Sequence, residues 1–455
     1  MVWNPSSGSR INEKDVLEGL QPHPNIRSLE IENYKGDEFP PWLLKLNNLV
    51  VLKLEGHFPH LEILELEELD SLSYIVSGFR TMAAALCPAL KRVSLKHMNN
   101  LMEWKVPEAA AGGMEVAFPC LEELEFNRCP KLKRIPSMRH FSSKLVRLTI
   151  RDCDALSHIS GEFHASATSL KYLTIMRCSN LASIPSLQSC IALEALSIST
   201  CYNLVSSIIL ESRSLISVFI GWCGKASVRI SWPLSYANMK ELNIEICGKL
   251  FFDDLHGGEV WPSRFQSLVI RCCDQFNSVP DGLKRRLHSL VRLDISWCRN
   301  LSHIPEDFFR GLNQLKGLKI GGFSQELEAF PGMDSIQHLG GSLEELKIIG
   351  WKKLKSLPHQ LQHLTSLTKL KIYGFNGEGF EEALPDWLAN LSSLQELTIW
   401  ECQNLKYLPS STAMQSLSKL TRLIIRSCSL LKRNCTEGSG SEWPKISHIP
   451  HIDLP

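Results

Sequence analysis

The sequence predicts an α/β repeat solenoid, with one short parallel strand per coil and mostly irregular outer arcs. Three observations predict it. Leucine supplies 69 of the 455 residues. One frame, L-x-x-L-x-I-x-x-C-x-x-L-x-x-I-P, recurs in register along most of the chain. Its copies are spaced about 25 residues apart on average, inside the roughly 20–29-residue window of a strand-plus-arc unit.

The frame reads cleanly in Leu121–Cys129, Leu170–Cys178, Leu290–Cys298 and Leu394–Cys402. Seventeen copies can be placed, starting at Ile26, Leu49, Leu61, Leu90, Leu121, Leu145, Leu170, Leu193, Leu215, Met239, Phe265, Leu290, Leu315, Leu343, Leu367, Leu394 and Leu420. Within a copy, Leu148 and Ile150 stand two apart, so both point to one face of a strand and Thr149 to the other. No coil covers its own apolar face, so stacking must bury each against its neighbours. The expected architecture is a leucine-rich-repeat horseshoe with a parallel concave β-sheet and mostly irregular convex arcs. Prolines at 136, 185, 280, 305, 358 and 409 close six copies and lack an amide hydrogen, which disfavours helix in the arcs. Pro40-x-Trp42-Leu43 and Pro385-x-Trp387-Leu388 each predict a short helical turn on the outer side.

Residues 1–25 read as a polar lead-in, 26–436 as the solenoid, and 437–455 as a linker and C-terminal cap. One step, Leu49 to Leu61, is only 12 residues. Either that copy has lost its arc, or one of the two is not a true repeat. Long gaps suggest loop insertions near 72–87 and 102–117, the second containing Val106–Met114. Glu437–Glu442 reads as a flexible link.

Fifteen cysteines raise the question of disulfides or zinc. Ten of them, Cys129, Cys153, Cys178, Cys201, Cys223, Cys247, Cys273, Cys298, Cys402 and Cys428, occupy one position of the frame, as a structural ladder in the turn after the strand. No C-x-x-C exists, so no metal site is expected. An odd count in a long chain makes a poor disulfide framework and points to a reducing compartment. Cys87, Cys120, Cys190, Cys272 and Cys435 lie off the ladder.

Lys+Arg 49 against Asp+Glu 48 argues against a nucleic-acid-binding surface. The chain lacks the apolar core of a signal peptide and any stretch long enough to span a membrane. Phosphate-loop, dinucleotide, zinc-protease and serine-hydrolase motifs are all missing. Three N-x-[ST] sequons, at Asn300, Asn390 and Asn434, carry little weight without a signal peptide. The chain therefore reads as a non-enzyme without cofactors. Its candidate partner-binding residues are Trp222, Arg271, Arg292, Trp297, Tyr373, Trp400 and Arg426, expected on the concave face beside Lys319, Lys347, Lys369 and Lys371. Exposed Trp, Tyr and Arg most often carry interface energy. Acidic Glu30, Glu32, Glu55, Glu65, Glu67 and Glu68 dominate the first coils of the same expected face.

Three segments carry a resemblance. Val16–Ile26 with Tyr34–Trp42, Phe118–Leu132, and Trp443–Ile452 are similar in wording to the leucine-rich-repeat region of plant intracellular nucleotide-binding leucine-rich-repeat (NLR) disease resistance proteins of the coiled-coil class. The resemblance implies a protein-recognition module in plant innate immunity. Its partner would be a pathogen effector, a guarded host protein or a receptor's own nucleotide-binding domain, met in the cytoplasm or nucleus, with no nucleic acid and no membrane. Such receptors carry a coiled coil and a nucleotide switch ahead of the repeats. No phosphate-binding loop is present here, so nucleotide switching is not carried over, and a fragment or truncated relative is expected. Two alternatives are a substrate-recognition solenoid of a cytosolic ubiquitin ligase and the ectodomain of a cell-surface repeat receptor.

Overall fold

The computed structural model of the chain describes residues 2–3, 13–78, 85–106, 116–141, 144–163, 169–210, 212–230, 238–252, 264–377 and 379–454. They fall into two compact units, Met1–Ser231 and Trp232–Pro455. In both, the frame becomes a strand because its apolar residues alternate. Leu148 and Ile150 are fully buried, while Arg147, Thr149 and Arg151 point outward. Inward residues stack in rows, Leu124–Leu148–Leu173–Leu196 beside Phe126–Ile150–Ile175–Ile198. Each buried leucine or isoleucine contributes about 1.5–3 kcal/mol, realised only when the next coil is in place.

The first unit contains β1 (Val2–Trp3), β2 (Ser28–Glu32), β3 (Val51–Glu55), β4 (Ile63–Glu67), β5 (Tyr74–Gly78), β6 (Arg92–Lys96), β7 (Glu103–Lys105), β8 (Glu123–Asn127), β9 (Arg147–Arg151), β10 (Tyr172–Met176), β11 (Ala195–Ser199), β12 (Ser207–Leu210) and β13 (Ser217–Ile230). They form two parallel sheets, not one. The main sheet runs β4-β6-β8-β9-β10-β11-β13, with β12 beside the second half of β13. A second sheet runs β1-β2-β3-β5-β7 and then thins to single bridges, Glu103 to Arg134 and His158 to Ser183.

This explains the 12-residue step. The copies at Leu49 and Leu61 are both strands, but β3 lies in the second sheet and β4 in the main one, two sides of one coil. The same alternation of leucines suits either sheet, so periodicity alone does not distinguish them. The expected insertions near 72–87 and 102–117 are corrected likewise. Both begin as strands of the second sheet, β5 and β7; residues 79–84 and 107–115 of them lie outside the described residues.

The second unit contains β14 (Glu241–Phe252), β15 (Ser267–Arg271), β16 (Arg292–Ser296), β17 (Gly317–Gly321), β18 (Glu345–Ile349), β19 (Lys369–Tyr373), β20 (Glu396–Trp400), β21 (Arg422–Arg426) and β22 (His451–Asp453). Each pairs in parallel with the next, in chain order. Its arcs carry only short helices. Pro385 caps a 3-10 turn over Asp386–Asn390, as Pro40 caps Pro41–Lys45 in the first unit. At the C-terminal end, Ile446 is fully buried and buried Glu442 accepts the Leu408 amide at 2.8 Å. The expected flexible link is instead tied down: the Gly440 amide donates to Thr436 and that of Glu442 to Asn434, both at 2.8 Å.

Candidate recognition surface

Every coil must leave its strand by a sharp turn, and one residue bears the conformational cost. The residue before each of the ten ladder cysteines is left-handed, with φ between 50° and 62°. In all ten it is a residue other than glycine, including β-branched Thr200 and Ile246, for which this region is unfavourable. Its amide still bonds to the next strand, as from Arg128 to Arg151 (2.9 Å) and Trp297 to Gly321 (2.9 Å). The reversal then turns the following side chain into the core.

All ten ladder cysteines are buried, and all fifteen cysteines are free thiols. Nine of the ten donate to the carbonyl two residues earlier, at 3.1–3.7 Å. Cys247 instead donates forward, to Lys249, and meets the Cys273 sulfur at 3.4 Å. Off the ladder, burial pushes the Cys190 thiol up to about 12, which suits an inert packing group rather than a nucleophile.

Three coils fill the same turn position with an aromatic ring: Phe323, Trp351 and Phe375, each preceded by glycine. Phe330 packs against all three, its ring centre 6.3, 4.5 and 6.5 Å from theirs. Sequence reasoning missed this cluster, although a Gly-Phe or Gly-Trp pair falling in the cysteine frame would have signalled it.

The outward faces of the two main sheets differ in charge order. In the first unit, opposite charges alternate. Arg92 pairs with Glu123 (2.9 Å) and Glu65 (3.8 Å), Lys96 with Glu125 (3.3 Å), and Arg147 covers the Tyr172 ring at 4.4 Å. The early acidic residues do not share one face. Glu30, Glu32 and Glu55 lie on the second sheet, and Glu32 is buried.

In the second unit, like charges stand side by side. Lys319, Lys347 and Lys371 occupy the central outward position of β17, β18 and β19, in direct register. They line an open groove of 390 Å³ with Arg271, Arg292 and Lys369, against only Asp294 and Glu345. Asp294 is buried and already shared: Arg271 approaches it at 2.6 Å, Lys319 at 3.4 Å, and Ser296 donates to it at 2.5 Å. Lys347 makes no ion pair among the described residues and lies over the Tyr373 ring at 4.9 Å. Burial, then the ammonium groups of Lys319 and Lys371, holds its pKa below the usual lysine value.

An aromatic row borders these lysines. Trp297 meets Tyr373 edge-on at 5.5 Å, and Tyr373 meets Trp400 at 5.5 Å. Trp297 and Tyr373 are three strands apart, about 14 Å of sheet. The contact is possible because the first of the two intervening coils offers Gly321 and Gly322; a Cβ on Gly322 would sit 2.9 Å from the indole. Tyr373 donates to Glu401 at 2.7 Å, and burial together with that bond pushes its pKa up to about 12.

Of the seven candidate contact residues, the structure brings Trp297, Tyr373 and Trp400 together. Arg271 lies in the adjoining groove, clamped between Asp294 and Glu245 (2.9 Å). Arg292 stands at the groove's edge, 3.7 Å from Glu241, and Arg426 pairs with Asp453 at 3.0 Å. Trp222 belongs to the first unit, at a left-handed turn, and is 48% exposed. Trp297 likewise occupies the left-handed turn, just past β16, rather than a strand position.

Other candidate chemistry is spent on structure. The His97 Nδ1 meets Glu67 at 3.1 Å and its Nε2 meets Arg128 at 3.1 Å, so both ring nitrogens are engaged. Asn300, Asn390 and Asn434 each donate their side-chain amide to the preceding coil, at 2.7, 3.1 and 2.9 Å. Among the described residues, no helix is long and apolar enough to cross a membrane.

Parallel strands stacked coil on coil, an inward leucine ladder and a turn filled by cysteine or an aromatic ring settle the fold. The chain is a leucine-rich-repeat solenoid. Two family models agree: residues 1–78 match "R13L1/DRL21 LRRs" and residues 268–450 match "Leucine-rich repeat region". The solenoid is 32% identical to Disease resistance protein RGA2 of Solanum bulbocastanum, over 41% of this chain and 20% of that protein. Putative disease resistance protein RGA1 of the same species is 30% identical, over 39% and 20%. TMV resistance protein N of Nicotiana glutinosa is 25% identical over 85% of this chain and 28% of its own length. The matched stretch thus spans less than a third of each relative. A Leptospira interrogans leucine-rich-repeat protein aligns over 89% of this chain and 98% of its own, at 14% identity and a TM-score of 0.37. By its sequence matches, the solenoid resembles the leucine-rich-repeat region of plant disease resistance proteins.

Proposed function

We propose that this solenoid is a non-enzymatic protein-recognition module of plant innate immunity. It senses a pathogen effector or a guarded host protein, or holds a receptor's nucleotide-binding domain inactive, in the cytoplasm or nucleus. The similarity to disease resistance proteins supports the setting, and the coiled-coil class of receptor is the part of it read from the wording of the repeats. The observation that carries the reading is the row Trp297–Tyr373–Trp400 on the outward face of the second unit. Aromatic side chains left partly in solvent, on strands and the turn beside them, are what interface anchors require. Arg271 and Arg292 extend the same patch.

Removing the anchors tests it. The double variant Trp297→Ala, Trp400→Ala, expressed in leaf tissue, is expected to lose the protein captured by the parent chain while its thermal midpoint is unchanged. Capture at the parent level by the folded variant would rule out this patch.

A further inference from the structure

The ladder Lys319–Lys347–Lys371 carries more positive charge than its neighbours neutralise. Neighbouring strands lie about 4.8 Å apart, and like charges directly opposite each other on a sheet are destabilising. The first unit solves the same problem by alternating arginine and lysine with glutamate. Here the available carboxylates are committed: Asp294 to Arg271 and Ser296 as well as Lys319, Glu345 to Lys369, and Glu396 no nearer to Lys371 than 4.0 Å. Gly317 and Gly321 stand on either side of Lys319 along β17, so neither of its neighbours on that face of the strand carries a side chain.

We propose that this groove takes an acidic polypeptide segment of the partner, its carboxylates on the three lysines and an adjoining aromatic or aliphatic side chain on Tyr373 and Trp400. The inference rests on the reading of this face as the recognition face and specifies its ligand. Charge complementarity selects the anion, and the aromatic row selects polypeptide over free phosphate. A phosphate would engage the lysines and leave the rings at the groove's border uncovered, whereas a peptide can cover both.

Short fluorescent peptides and the full chain decide it by anisotropy. A peptide of glutamates interspersed with leucine and phenylalanine is expected to bind at least about tenfold tighter than its glutamine counterpart, with the difference shrinking as salt rises. Lys347→Glu and the triple variant Lys319→Glu, Lys347→Glu, Lys371→Glu should abolish that preference, whereas Arg422→Glu, on β21 outside the groove, should preserve it. The triple variant sets three carboxylates in direct register beside buried Asp294, so the comparison requires that its thermal midpoint does not fall. If it does, Lys347→Gln is measured in its place and must also lose the preference. Equal binding of the glutamate and glutamine peptides overturns the proposal, as does an undiminished preference in folded lysine variants. Binding of inorganic polyphosphate at this site, without binding of the acidic peptide, overturns it in favour of a phosphate ligand. Loss of partner capture in the tryptophan variant, alongside failure of the acidic peptide, would leave the recognition face standing and remove only its charge preference.

Discussion

Thr200 shows what one residue bears in this fold. It sits at φ 56°, where a β-branched side chain crowds its own backbone, because the coil must reverse there to bury Cys201. Asparagine tolerates that region, so Thr200→Asn is expected to raise stability by roughly 1 kcal/mol. Urea denaturation would show it as a higher midpoint at constant slope; an unchanged or lower midpoint would contradict the strain. A second residue-scale case is Asp152, paired with Arg177, whose Nη2 lies 2.8 Å from Oδ2. The hydrogen bonds from Arg177 hold the carboxyl below its usual range. Its folded pKa being depressed, the pair's stabilisation is present above the unfolded value of about 3.9 and is lost as pH falls through the folded value. Arg177→Ala should therefore lower stability at neutral pH and make no difference in strong acid, where a persistent difference would contradict the pairing.

At the scale of the element, the turn after the strand is the working part. Thirteen of the fifteen cysteines are buried, and only Cys120 and Cys272 are partly exposed. A thiol reagent is thus expected to modify at most two cysteines in the native protein and all fifteen once it is unfolded; rapid native labelling of the ladder would contradict the packing. Gly322 tests the other kind of turn. It has φ 67° and supports the Trp297 indole, so Gly322→Ala should cost about 1–2 kcal/mol and shift tryptophan fluorescence. Intact stability with unchanged emission would contradict that contact. Much of this element was legible in the sequence. Leu148, Ile150 and Cys153 announce a strand and a filled turn through spacing alone. The second sheet was not legible, because Leu52–Leu54 and Leu64–Leu66 alternate identically while belonging to different sheets. Nor was the meeting of Trp297 with Tyr373, which depends on Gly321 and Gly322, one coil from Trp297 and two from Tyr373. The lysine ladder was legible, since Lys319, Lys347 and Lys371 fall at one position of the copies starting at Leu315, Leu343 and Leu367; which carboxylates their neighbours already hold was not, because that depends on side-chain contacts.

Across the whole molecule, a net charge of +1 conceals two kinds of surface. One main sheet neutralises itself from strand to strand; the other collects lysines beside partly exposed aromatic rings. A scaffold alone needs only the first kind, and the second is the mark of a face shaped for something else. Likeness to the repeat regions of disease resistance proteins gives the proposed recognition face its setting. The most direct measurement places a photo-crosslinking residue, p-benzoylphenylalanine, at Trp400 in one chain and at Glu326, an exposed arc residue, in another. Expressed in pathogen-challenged leaf tissue and irradiated, the first should form a covalent adduct with a defined protein and the second should not. Adducts formed equally from both positions, or only from Glu326, would contradict recognition through this face.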